Sequence, residues 1–258
     1  MRIHHLNCMT FHFGVPSITH CLLIEGRDGL ILVDTGLGLA DYDNPSLIMR
    51  AFLRINRVPR NREETAVRQV VRLGYSPEDV HHVVLTHLHL DHSGGLPDFP
   101  RAEVHVSTPE YLAAMRPRGI FGRCGYDATH WAHGPRWVLH EFEGDKWFGL
   151  PCAQVLGPSL RGIVLVPLFG HSAGHCGVGV ETDGGWILHC GDAYARDVMI
   201  KPDDPLSPFP KWAGGFERTL FPSQAIVQLR TLKREHGNEI VTFSAHDPTA
   251  FARLASTT

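Results

Sequence analysis

The sequence predicts an α/β fold with two groups of strands covered by helices, and three observations lead there. Short β-branched apolar runs alternate with segments of helical apolar spacing along the chain. The strands occur in two halves and read as antiparallel runs, which suits two sheets face to face with helices on the outer faces, other α/β folds remaining open. Four times, a residue type that binds metal stands directly after a strand-like run, where α/β proteins usually build their sites.

Taken in order, Ile18 to Ile24 and Leu30 to Val33 read as strands of a hairpin turning through Glu25-Gly26-Arg27-Asp28-Gly29, with Asp34-Thr35-Gly36 ending the second. Residues 44–60 are partly helical, with Leu47, Ile48, Ala51, Phe52 and Ile55 at helical spacing. Arg62 to Leu73 reads as a helix closed by Gly74, and Ser76-Pro77-Glu78-Asp79 as a capped turn. His82 to Thr86 and Glu103 to Val106 are strands, and Pro109 to Met115 is a helix with Thr108 as its N-cap. Residues 117–135 are irregular and rich in aromatics, glycine and histidine. Strands follow at Arg136 to Phe142, Gly162 to Val166, Cys176 to Glu181 and Gly185 to Cys190. Residues 198–222 form a proline-rich loop, Ser223 to His236 an amphipathic helix, Glu239 to Phe243 the last strand and Pro248 to Ala255 a terminal helix.

Composition narrows the function classes. With 43% hydrophobic and 20% charged residues, the 258-residue chain holds enough apolar material for a sizeable core. A formal charge of −3 without any lysine/arginine block argues against nucleic acid as a partner. No run approaches the ~18 apolar residues of a membrane span, and Met1 opens onto Arg2-Ile3-His4-His5 with no apolar signal core, so a soluble, cytoplasmic protein is expected. The six cysteines are scattered without a C-x-x-C pair and read as free thiols; Cys190, two before Asp192, reads as packing.

The densest chemistry is His87-Leu88-His89-Leu90-Asp91-His92. Imidazole nitrogens and carboxylate oxygens bind zinc and other divalent metals, and so many polar groups cannot enter an apolar core without partners. His87 and His89, two apart in extended chain, point the same way and can share one ion, while Asp91 and His92 at the following turn can face a second. The bland alternative is a polar exposed loop in a chain holding 18 histidines. Against it stand His171 in Gly170-His171-Ser172-Ala173-Gly174-His175, Asp192 after Trp186 to Cys190, and His246-Asp247 after Ile240 to Phe243, the same strand-then-ligand arrangement repeated.

On Leu32-Val33-Asp34-Thr35-Gly36, His87 to His92, the His171 loop, Asp192 and His246, the chain resembles the metallo-β-lactamase superfamily of hydrolases from about Thr19 to His246. The resemblance implies a four-layer αββα sandwich, read here as a single domain over residues 1–258, with metals at one edge between the sheets. It implies that His87, His89 and His171 bind one metal, that Asp91, His92 and His246 bind the other, and that Asp192 bridges them. Asp34 would orient the histidine loop without touching metal, and His175 matches a position not counted as a ligand. The acyl-homoserine lactonases look similar in HLHLDHSGG, in GHSAGH and in His246-Asp247; their tyrosine after the bridging aspartate is spaced differently from Tyr194.

Two divalent ions at close range can share one water and lower its pKa to about 7, so that the bridging hydroxide attacks an ester, lactone or thioester. Asp91 is placed to steer that hydroxide or shuttle a proton. Tyr194 either donates to the developing oxyanion or simply packs. Zinc is the default metal for this donor set, with iron, manganese and cobalt chemically admissible. Aromatic residues in 121–131 and the loop 198–216 either line a pocket for a small, partly hydrophobic substrate or anchor their loops. The competing functions are a mononuclear iron persulfide dioxygenase and a non-catalytic metal-binding scaffold. Oligomeric state is not set by the sequence.

Overall fold

The computed structural model describes residues 1–117, 119, 125–154, 162–201 and 223–256. Strands β1 (Ile3–Phe13) and β2 (Val15–Gly26) form a long antiparallel hairpin around Gly14, and β3 (Gly29–Val33) returns antiparallel to β2. Helices α1 (Leu39–Asp43), α2 (Leu47–Ile55) and α3 (Ala66–Arg72) lead to β4 (Val80–Val84). After α4 (Leu90–Ser93), β5 (Glu103–Ser107) and α5 (Thr108–Met115), β6 (Arg136–His140) completes a six-stranded sheet in sequential order. A two-stranded ribbon, β7 (Lys146–Trp147) and β8 (Leu150–Pro151), precedes the second sheet. That sheet holds β9 (Ala153–Gln154), β10 (Ile163–Pro167), β11 (Cys176–Thr182) and β12 (Gly185–His189). Helix α6 (Ser223–His236) then crosses to β13 (Ile240–Phe243), and α7 (Pro248–Ala255) follows. The strand order is β13-β12-β11-β10-β9.

Strand alternation builds the layers, because successive side chains face opposite ways. Leu23, Leu30, Leu32, Val83, Val104 and Val106 pack against Ala66, Val67 and Val70 of α3 and Ala114 of α5. Their neighbours Leu22, Ile24, Ile31, Val33 and Val84 instead meet Ile163, Leu165, Val178 and Val180 of the second sheet. On the far side of that sheet, Val164, Val166 and Leu188 pack on Ala225, Ile226, Leu229 and Leu232 of α6. The result is helix, sheet, sheet, helix, the expected four-layer αββα sandwich.

Both sheets are mixed rather than runs of antiparallel strands: β3 through β6 are mutually parallel, and β13 lies parallel to β12. Parallel neighbours need crossovers, which the intervening helices provide. The first strand escaped the sequence reading because its alternation breaks: the register shifts between Asn7 and Thr10, and consecutive Cys8 and Met9 are both buried. The helix expected over Arg62 to Leu73 is divided at Thr65 into a 3-10 turn (Arg62–Glu64) and α3. The cap of α5 is Ser107, not Thr108; its hydroxyl accepts the Glu110 N–H. Helix α2 buries Met49, while Leu47 and Ile55 face solvent. Of the 198–222 loop, residues 202–222 lie outside the described residues, and Asp197–Ile200 is a 3-10 turn. Among the described residues, no helix is long and apolar enough to cross a membrane.

Candidate metal centre

Four strands, β4, β10, β12 and β13, deliver the ligand-bearing loops from their C-terminal ends to one edge of the sandwich, and β3 brings Asp34 beside them. The structure brings all seven predicted ligands together there. Side-chain donor atoms of His87, His89 and His171 lie within 4.8 Å of one another. So do those of Asp91, His92 and His246, and a third set, His87, His92 and Asp192, joins the two. His89 Nδ1 stands 2.9 Å from His171 Nε2. The Asp192 carboxylate reaches both sides: Oδ2 is 3.3 Å from His171 Nε2, and Oδ1 is 3.0 Å from His246 Nε2 and 3.2 Å from His92 Nε2. Asp91 Oδ2 lies 3.6 Å from His246 Nε2 and 3.7 Å from His92 Nε2.

The remaining ring nitrogens show how each imidazole is aimed. His246 Nδ1 donates to the Ile18 carbonyl at 2.7 Å, which leaves Nε2 facing Asp192. His92 Nδ1 donates to Asp34 Oδ2 at 2.8 Å. Thr86 spends its hydroxyl proton on Asp34 Oδ2 at 2.8 Å, so its oxygen accepts from His87 Nδ1 at 3.0 Å. In these three rings Nδ1 makes the outer bond, so Nε2 is the nitrogen turned inward, the one left for a metal. Asp34 itself sits at φ +55°, a left-handed backbone, as the chain leaves β3 for the turn against the histidine loop.

His175 supports Asp192 from behind. Its Nδ1 donates to the Leu168 carbonyl at 3.0 Å and its Nε2 accepts the Asp192 N–H at 2.9 Å. Burial and the neighbouring His171 push this ring's pKa down to about 3, which keeps it neutral as that bond pattern demands. The approach is possible because Gly191, at φ +50°, has no Cβ to meet the His175 ring.

Burial and the surrounding imidazoles, His92 and His89 for His87 and His171 for His89, hold the pKa of these two rings well below the ordinary histidine value. Burial alone would raise Asp192, yet His246, His92 and His171 hold it well below the usual carboxylate range. Burial alone would lower His92 and His246, yet the aspartates, Asp192 foremost, raise both. The cluster is one in which carboxylates demand positive charge. His87 Nε2, His92 Nε2 and Asp192 Oδ1 are buried without a hydrogen-bond partner, a costly state for polar atoms that a bound cation relieves. The residues therefore fit divalent metal.

Glu110 was not singled out from the sequence. It is fully buried, and it accepts hydrogen bonds from Leu88 N–H (3.0 Å), Gly174 N–H (3.0 Å), the Ser172 hydroxyl (2.5 Å) and the Tyr126 phenol (3.0 Å). One carboxylate thus clamps the His87–His92 loop to the His171 loop. Its place three residues after Ser107 is that of an ordinary capping glutamate, so nothing in the sequence marked it. A parallel tie runs from Asp41 through His130 to Ser93, whose hydroxyl also bonds the His89 carbonyl.

Tyr194 points elsewhere. It is fully buried between the second sheet and α6, and its phenol donates to Asp197 Oδ1 at 3.2 Å. Of its two sequence readings, packing is the one this geometry supports. Cys190 packs in the same layer, where burial pushes its thiol pKa up. The described cysteines, Cys8, Cys21, Cys152, Cys176 and Cys190, are free and buried. Tyr126 and His130 are tied by Glu110 and Asp41, Trp131 packs against the helix-side core, and Phe121 to Cys124 lie outside the described residues.

The model of the metallo-beta-lactamase superfamily matches residues 14–242. A protein of Mycobacterium tuberculosis named "probable metallo-hydrolase" is 38% identical over 253 residues, covering 96% of this chain and 81% of its own length. An N-acyl homoserine lactonase of Bacillus thuringiensis is 28% identical over 253 residues, covering 93% of this chain and 89% of its own. Among solved structures, an N-acyl homoserine lactone hydrolase with N-hexanoyl-L-homoserine at its catalytic metal centre superposes with a TM-score of 0.72 at 22% identity, covering 97% of this chain and 95% of that one. A dizinc quorum-quenching lactonase gives a TM-score of 0.59 at 18% identity, over 91% of this chain and 74% of that one. Sequence match, layered fold and clustered histidines and aspartates agree: the chain belongs to the metallo-β-lactamase superfamily and is a metal-dependent hydrolase.

Proposed function

We propose that the chain hydrolyses an ester, lactone or thioester of a small, partly hydrophobic molecule at a two-metal centre, with an N-acyl homoserine lactone as its leading substrate. The observation that carries this reading is the overlap of three ligand triads through His87, His92 and Asp192. His87, His89 and His171 would hold one ion and Asp91, His92 and His246 the other, with Asp192 between them. Zinc suits these donors best. When bound, two such ions acidify a water and polarise a carbonyl. The lactonase relatives, and the fold shared with a lactone hydrolase that binds N-hexanoyl-L-homoserine, support the choice of substrate.

The chain's own residues then divide the work. Asp91, its side chain 12% exposed beside fully enclosed His92, is placed to take a proton from the attacking water and return it to the departing alkoxide oxygen. Phe11 stands edge-on to His246 at 5.1 Å and gives the site an apolar wall, suited to an acyl chain. Tyr194 takes no part.

The test is metal analysis together with turnover of a panel holding an acyl homoserine lactone, a linear ester, a thioester and a phosphotriester. About two zinc per chain with lactone turnover abolished by a chelator is the expected result. One iron with oxygen uptake on a persulfide, or full metal loading with no turnover of any carbonyl ester, would overturn the reading.

A further inference from the structure

A second group of ligand-type side chains lies on the six-stranded sheet, away from the centre just described. His82 on β4 pairs in register with Glu103 on β5, and His105 is two residues further along β5 on the same face. His140 on β6 lies two residues beyond Val138, the register partner of His105, so it shares that face too. His82 is five residues before His87, on the order of 16 Å of extended strand. Among the described residues, the groups that hold the proposed catalytic ligands include none of these four side chains.

We propose that His82 Nδ1, His105 Nε2 and Glu103 Oε2 form a separate binding site for a divalent cation of the zinc type. Their donor atoms lie within 4.8 Å of one another. His82 Nδ1 is 3.2 Å from His105 Nε2 and 3.6 Å from Glu103 Oε2. Ligand atoms at the corners of a zinc tetrahedron with bonds of about 2.0–2.1 Å stand roughly 3.3–3.4 Å apart, so these separations fit with small adjustments. The other nitrogen of His105, Nδ1, lies 3.1 Å from His140 Nε2. A ring that donates from Nδ1 to a fixed acceptor presents its Nε2 lone pair, the outer support metal-binding histidines commonly have. The second carboxylate oxygen of Glu103 faces Arg136 at 3.8 Å, which leaves Oε2 for the ion.

Protonation also favours the cation. Burial, then His140 and His82, push His105 down to about 3, and burial lowers His82 and His140. Neutral imidazoles are the form that binds metal. The ion would replace the His82–His105 hydrogen bond, His82 then keeping its proton on Nε2. The His82 side chain is 18% exposed and that of Glu103 37%, so the position is open to solvent and can complete its shell with water. The site would fasten β4 to β5 in a parallel pair, and it carries no role in hydrolysis.

The experiment is zinc titration and metal analysis of the full chain alongside His82→Ala, Glu103→Gln and the control His81→Ala, an exposed neighbour on the same strand. Both site variants should hold one zinc fewer than the unaltered chain, or bind that ion at least tenfold more weakly, with hydrolytic turnover unchanged; His81→Ala should match the unaltered chain. Anomalous diffraction from a zinc-loaded crystal should show a peak between His82, Glu103 and His105. Equal zinc content and affinity in all four proteins, or no anomalous peak at these residues, overturns the proposal. Because the comparison is between proteins that share the same hydrolytic site, its outcome does not depend on how many ions that site holds.

Discussion

Asp34 Oδ2 accepts the Nδ1–H of His92 at 2.8 Å, and both side chains are fully enclosed although 58 residues separate them. The same carboxylate accepts the N–H and the hydroxyl of Thr86, so it aims two histidines at once. An amide in its place would turn a donor toward one of those donors. Asp34→Asn is expected to weaken metal binding about 10–100-fold, with turnover falling in step. Competition with a chromogenic chelator measures it; unchanged affinity would mean that Asp34 does not set the ring.

Asp192 is the carboxylate that both histidine groups share. Asp192→Ala and His89→Ala are each expected to lose bound metal and to lower kcat/KM by more than about 100-fold, beyond the effect typical of an outer support residue. Metal content and turnover, measured on the same preparation, decide it. Full activity in either variant contradicts the ligand assignment.

Glu110 receives four donors from three segments, and it is the clearest structural dependency of the site. Gln would accept on one oxygen only and bring an amide N–H against a buried donor. Hydrogen bonds to a buried charge contribute about 1.5–3 kcal/mol each, so Glu110→Gln is expected to lower unfolding stability by about 2–5 kcal/mol. Denaturant unfolding measures this, and a loss below about 1 kcal/mol would show that the clamp is not needed.

Tyr194 separates catalysis from packing. Its ring packs in the core beneath the second sheet, and its phenol meets the half-buried Asp197. Tyr194→Phe should leave kcat/KM within about twofold and lower stability by about 1 kcal/mol, the usual worth of one hydrogen bond. A drop in kcat of about 100-fold with stability unchanged would restore the oxyanion role.

Acid sensitivity follows from histidines buried as neutral rings outside the metal centre. Burial, then His189 and His4, lower His5 to about 4, against about 6.5 in the unfolded chain. Between those values the unfolded chain binds a proton that the folded chain refuses. The His5 contribution is therefore complete above about pH 6.5 and is lost as pH falls toward 4. His5 Nδ1 meets His20 Nε2 at 2.8 Å, a partner that an asparagine oxygen can replace. The melting temperature of His5→Asn should fall less steeply than that of the unaltered chain between pH 6.5 and 4. Parallel slopes would show that His5 is not a source of the acid loss.

Much of this molecule was legible in the chain because its signals are local. Ser223–His236 and Pro248–Ala255 are helices over the residues their apolar spacing indicated, and the hairpin of β2 and β3 follows from alternating apolar residues around a glycine turn. His87 to His92 announced metal chemistry because three histidines and an aspartate within six residues have few other uses. What failed was whatever depends on partners distant in sequence. Strand direction is one case: β3 to β6 run parallel, which no periodicity encodes. Strand β1 is another, since a bulge removes the alternation by which a strand is read.

By itself, then, the sequence determined the types and spacing of the ligands and the layered class of fold, because residue chemistry and side-chain period are written in consecutive positions. Tertiary structure alone decided that Glu110 clamps two loops rather than capping its helix, that His175 holds the backbone of Asp192, and that Tyr194 points into the core. Those roles depend on which buried donor meets which acceptor once the sheets have packed, and burial is what makes each unpaired alternative costly.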